Sequence, residues 1–201
     1  MDSMHDIAQR AIQQTPPECR VQPSDAAIIA RHSDALIPMA PQVVKSFYDT
    51  LYAHDETEQL FQAGERPMRE QTLTGWWERT VRGPIDDDYW AWMALVGLTH
   101  VMRRVTNPMM LAMNNFVAQY VEDHSDSLPV PESERRHLVT AFRRVAATAG
   151  SIITFAYDHA VSSALFEVAG MPEALLARLR DQEVGAALAK AHTEVRSGSR
   201  H

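Results

Sequence analysis

Apolar residues recur along this chain at intervals of three and four, the period of helices with one buried face. No run alternates apolar and polar residues between hairpin turns, so no strand is predicted. Residues 1–15 read as a short polar helix ended by Pro16-Pro17. Ser24 caps the next segment, which carries Ala27, Ile28, Ile29, Leu36 and Ile37 and stops near Pro38 and Pro41. Val43, Val44, Phe47, Tyr48, Leu51 and Tyr52 then share one face. After a short acidic piece and a loop at Gly64, Pro67 suits a first helical turn, with Thr72, Leu73, Trp76 and Trp77 along the stripe that follows.

Gly83-Pro84 breaks that helix, and Asp86-Asp87-Asp88 caps the next, where carboxylates meet free N–H groups and the positive end of the dipole. Its inward positions are Met93, Val96, Gly97 and His100, with Arg103-Arg104 at the negative end. Asn107-Pro108 repeats the cap-plus-proline signature and opens a helix with Met109, Met113, Phe116, Val117 and Tyr120 inward. The longest segment, roughly 132–169, places Leu138, Phe142, Val145, Ala149, Ile152, Ala156 and His159 on one face and spans on the order of 55 Å. Gly170-Met171-Pro172 stops it, and a last amphipathic stretch reaches about residue 195. The prediction is an all-α chain of seven to nine helices without internal repeats. It has an N-terminal arm over 1–23, a globular part over 24–169, a helical extension over 170–196 and a tail over 197–201.

Composition narrows the chemistry. With 201 residues the chain can bury a sizeable core as one domain with an appendage, and no space is expected for a second, output-type domain. A net charge of −7 argues against nucleic acid or an anionic membrane recognised by bulk charge. The single cysteine, Cys19, excludes an internal disulfide and the usual cysteine-based zinc sites, and is expected to be an inert thiol. No phosphate-cradling glycine loop, GxSxG elbow or HExxH is present. A polar N-terminus and the lack of an 18-residue apolar stretch make the cytoplasm the expected compartment.

His100 is the informative residue. A neutral imidazole on an apolar helical face is either a core residue bonded to backbone or a ligand. Gly97, three residues earlier, either leaves space for something flat or serves plain helix–helix packing. Tyr48 lies mid-helix among apolar neighbours, where its hydroxyl needs a partner, a backbone carbonyl or a bound diatomic molecule.

The stretch from Met68 to Val105 resembles the globin domain of globin-coupled sensors and the related protoglobins. Gln71-Thr72-Leu73, Gly83-Pro84-Ile85-Asp86-Asp87-Asp88-Tyr89 and Gly97-Leu98-Thr99-His100-Val101 stand in that family's order and spacing, and Phe47-Tyr48 matches the Phe-Tyr pair of its second main helix. The resemblance covers roughly 24–165. It implies a three-on-three globin fold with an extra N-terminal helix, one b-type haem in the 24–169 part and His100 as proximal iron ligand. Tyr48 and Thr72 match positions that hydrogen-bond the distal ligand, with Phe47 beside them, and Phe61 matches an aromatic packed on the haem. The second nitrogen of His100 would need an acceptor, such as the Val96 carbonyl or Thr99. Leu73, Trp76, Met109, Met113 and Phe116 would form an apolar wall. Past His100 the pattern departs: Met102-Arg103-Arg104-Val105 replaces an Arg-Ile-Gly run, and Met110-Leu111 stands where the family has aromatics. Arg103 or Arg104 either meets the haem propionates or forms a solvated helix end, the second being expected.

The resemblance implies reversible binding of O₂, with CO and NO as further ligands, and gas sensing through a separate output protein. An enzymatic alternative is NO dioxygenation or peroxidase-like turnover with an external reductase; a structural one is a haem-free signalling scaffold. It also implies a homodimer built from the last two globin helices.

Overall fold

The computed structural model describes residues 2–198. The described residues form ten α-helical segments and three short 3-10 turns joined by loops, with no strand among them. The chain divides into two compact units, one running to Ala160 and the other beginning at Val161.

In the first unit, α1 (Met4–Gln14) is capped by the Ser3 hydroxyl and buries Ile7, Ala8 and Ala11 against α7 (Asp87–Arg103). The predicted polar helix is thus amphipathic and integral to the core. α2 (Pro23–Arg31) begins two positions earlier than expected: Gln22, not Ser24, is its cap, and the buried Asp25 carboxylate accepts from the Gln22 backbone amide at 2.8 Å. Pro23 supplies the first helical residue, which moves Ser24 inside the helix. The one-turn α3 (Ser33–Leu36) leads to α4 (Ala40–Tyr52), whose Val43, Val44 and Tyr48 are buried, and then to the one-turn α5 (Asp55–Glu58). These two single turns take the helix count beyond the predicted nine, because four-residue helices leave no periodic trace in a sequence.

α6 (Arg66–Arg82) has Pro67 in its first turn and ends at Gly83, whose φ of 70° only glycine adopts without strain. Trp77 is wholly buried on it; its indole N–H donates to the Leu36 carbonyl at 3.0 Å and its ring stacks on Phe142. α7 starts at the expected acidic cap, with the Asp86 carboxylate accepting from the Tyr89 amide. It closes on Arg104 in the left-handed conformation. α8 (Asn107–His124) is capped by Thr106, so Asn107 is its first residue rather than its cap.

α9 (Glu132–Ala169) has the predicted bounds. Within the first unit its Leu138, Ala141, Phe142, Val145, Ala149, Ile152 and Ala156 are core. The expectation that no stretch is long and apolar enough to span a bilayer is corrected here, since Glu132–Val168 meets both criteria. Of its most apolar window 56% is buried in the protein, as for a core helix covered by its neighbours. In the second unit, α9 ends before Gly170 and α10 (Glu173–Gly198) follows. Of the tail expected at 197–201, residues 199–201 lie outside the described residues.

Candidate functional site

Five helices of the first unit (α4, α6, α7, α8 and α9), with α5 and the turn after it, line a cavity of about 290 Å³, near the lower end of the usual range for small-molecule sites. Its walls are apolar. α6 contributes Leu73 and Trp76, α7 contributes Met93 and Val96, and α8 contributes Met109 and Met113. On α4, Phe47 and Tyr48 face it, and Phe61 closes the side beyond α5. The aromatic side of this wall is held by ring packing, Phe61 lying stacked on Tyr52 and edge-on to Tyr48.

His100 reaches the cavity from α7, one turn beyond Val96. Its Nδ1 is buried without a hydrogen-bond partner, and burial together with the Arg103 charge pushes the imidazole pKa down to about 4. The ring is therefore neutral at pH 7, with a nitrogen lone pair to offer. A buried polar atom left unpaired costs about 1–3 kcal/mol, so it marks a group built for an occupant or a task. Neither expected acceptor is engaged: the Thr99 hydroxyl donates to the Leu95 carbonyl instead, and Val96 contributes cavity wall.

The second glycine alternative prevails at Gly97. A Cβ there would lie 2.6 Å from the Ile153 carbonyl oxygen and 2.7 Å from the Ala156 Cβ, so this glycine lets α9 approach α7 and leaves no slot for a flat ligand. Phe116 is a second correction. It is absent from the cavity wall and packs edge-on against Phe47, because Met109, Met113 and Val117 lie on a neighbouring face of α8.

Tyr48 lines the cavity from α4, and its hydroxyl donates to the Arg69 carbonyl at 2.9 Å. Burial raises its pKa to about 12, so it remains a donor at any physiological pH. Thr72 lies exposed at the cavity edge with its hydroxyl donating to the Met68 carbonyl.

Two arginines in the cavity lining lie outside the predicted set. Arg69 of α6 was never singled out, and Arg103 was expected in a solvated helix end. Arg103 instead donates to the Leu60 carbonyl and to Glu65, while Arg104 is the exposed residue. Their spacing carried no distinguishing signal, since charged residues near helix ends are ordinary.

Among the described residues no three His, Cys, Asp or Glu side chains converge, so there is no cage for a bare ion. An iron carried in its own macrocycle needs one ligating side chain and apolar walls, and a neutral imidazole in an apolar cavity is chemically compatible with that need. The protoglobin family profile matches residues 19–162. No curated protein gives a significant match. With well over half the chain matched and an all-helical, globin-like fold around a histidine-lined apolar cavity, the chain belongs to the protoglobin family, whose members are globins of the haem- and gas-binding kind.

Proposed function

We propose that this protein holds one b-type haem with His100 as the axial ligand and reversibly binds O₂, with CO and NO as further ligands, as a gas-sensing globin. The observation that carries this is the neutral His100 imidazole, its buried Nδ1 without a partner, in an apolar cavity that a protonated phenol also lines. When bound, the haem supplies an iron able to take up diatomic gases.

The chain's own residues do the rest. His100 presents an unprotonated nitrogen, and the low pKa keeps it unprotonated. Leu73, Trp76, Met109 and Met113 line the cavity with apolar surface and would keep water from a bound haem. Tyr48 offers a hydroxyl that a polar gas can recruit only by drawing it from the Arg69 carbonyl. Thr72 carries a second hydroxyl at the cavity edge, donating to the Met68 carbonyl.

Absorption spectra of the purified protein reconstituted with haem test the proposal. A Soret band that shifts with CO, and is altered in His100→Ala, is expected. No Soret band, or one indifferent to His100→Ala, overturns it.

We also propose a homodimer through the last helices. Its support is the apolar spacing of Val161, Leu165 and Val168 on α9, all exposed, with Val168 89% so.

A further inference from the structure

Haem is an apolar ring with two carboxylates on one edge. The cavity has a matching edge. Of the side chains lining it among the described residues, only Arg69 and Arg103 carry a fixed charge, and both are positive. They come from different walls, α6 and α7, and one carboxylate brings them together. Glu65, with a side chain 7% exposed, accepts from Arg69 Nε at 2.5 Å through Oε1, which also lies 2.7 Å from Arg103 Nη1 as an ion pair. Its Oε2 accepts from Arg103 Nη2 at 2.9 Å and from the Gln62 amide at 2.9 Å. Glu65 itself is not in the cavity lining.

Two positive charges against one negative leave a net positive edge beside an apolar space. The neighbouring ions do not cancel it, because Arg66 pairs with Asp49 and Glu70, and Lys45 pairs with Asp49. Such an excess in a partly desolvated place is costly unless an anion meets it. A guanidinium carries five N–H donors, so each arginine keeps donors for a second carboxylate beyond those turned to Glu65. Arg103 also stands three residues from His100 on the same helix, so axial ligand and anchor share one rigid element.

We propose that Arg69 and Arg103, held together by Glu65, are the carboxylate-anchoring edge of the site and bind the two propionates of haem. This rests on the haem assignment above. It takes the place of the solvated helix end expected for Arg103, and it draws on Arg69, which no family motif in this sequence marked.

The test compares ferric haem with its dimethyl ester, which keeps the ring and the iron and loses both negative charges. The full-length apoprotein is loaded with each, and transfer to an excess of a haem-scavenging acceptor protein is timed by the Soret band. Wild type is expected to release the diester, which lacks both anchored charges, about a hundredfold faster than haem. Arg69→Gln and Arg103→Gln are each expected to release haem about tenfold faster than wild type, with diester release unchanged. Equal release of haem and diester from wild type overturns the proposal, as does a variant that speeds diester release as much as haem release. In either case a Soret band dependent on His100 leaves the haem assignment standing. No Soret band with either compound overturns both. Should a variant fail to fold by circular dichroism, the wild-type comparison decides alone.

Discussion

Glu65 is ionised well below the usual carboxylate range, its pKa held down to about 2 by hydrogen bonds from Arg103, the Gln62 amide and Arg69. A carboxyl whose pKa is lower folded than unfolded stabilises the fold above the unfolded value near 4.5, and that contribution is lost as pH falls from there toward 2. Glu65→Gln is therefore expected to unfold at lower urea concentration than wild type at pH 7, with the gap narrowing between pH 4.5 and 2. A constant gap across that range would show that the charge is not what stabilises. Tyr48 yields a second expectation. Its single O–H is already engaged, so a polar gas gains only the difference between a hydrogen bond of about 1.5–3 kcal/mol to a charged acceptor and one of about 1 kcal/mol to a carbonyl. Tyr48→Phe should speed O₂ release about fivefold, less than a full hydrogen bond would give, and CO release hardly at all. Stopped-flow ligand replacement reads both; an unchanged O₂ rate removes Tyr48 as the donor. His100 and Tyr48 were legible in the sequence because each is a polar residue at an apolar helical position. Glu65, Arg69 and Arg103 were not, because they sit in charged stretches that look solvated until the turn after α5 closes over α7.

Two glycines within helices separate propensity from packing. Gly97 on α7 lies where any Cβ collides with the backbone of α9 and with Ala156. Gly75, within α6, has nothing within 4 Å of the Cβ position. Alanine gains about 0.8–1 kcal/mol over glycine in a helix interior. Gly75→Ala should accordingly raise the stability of the protein by about that amount in urea denaturation. Gly97→Ala should lower it by about 1–3 kcal/mol, since α7 and α9 must move apart. If Gly97→Ala stabilises, the two helices do not meet as described. Helix positions were mostly legible: α6, α7 and α9 carry long stripes and strong stop signals, and α9 ends where Gly170-Met171-Pro172 requires. Caps were less so. Ser24 and Asn107 are good caps by residue type, yet the following proline geometry and the Asp25 carboxylate put Gln22 and Thr106 there instead. Periodicity also could not tell Gly97 packing from Gly97 clearance, since both need a small residue on an inward face.

At the scale of the whole molecule, the family was legible from the interval between the Asp86 cap and His100, and the profile match over 19–162 bears that out. What α10 does was not legible, as an amphipathic pattern fixes a helix without naming its partner. The proposed dimer predicts a light-scattering mass of twice the monomer at micromolar concentration, reduced toward the monomer by Leu165→Glu, which places a charge among Val161, Leu165 and Val168. A mass of one chain at all concentrations would defeat it. The hydroxyl bond between Tyr48 and Arg69 bears on how such a molecule evolves. Its acceptor is a main-chain oxygen, and no substitution at position 69 removes it. On the proposed reading of Tyr48, the competitor for a polar gas is thus common to every side-chain variant of position 69, and a shift of the first turns of α6 relative to α4 would be the route to change it.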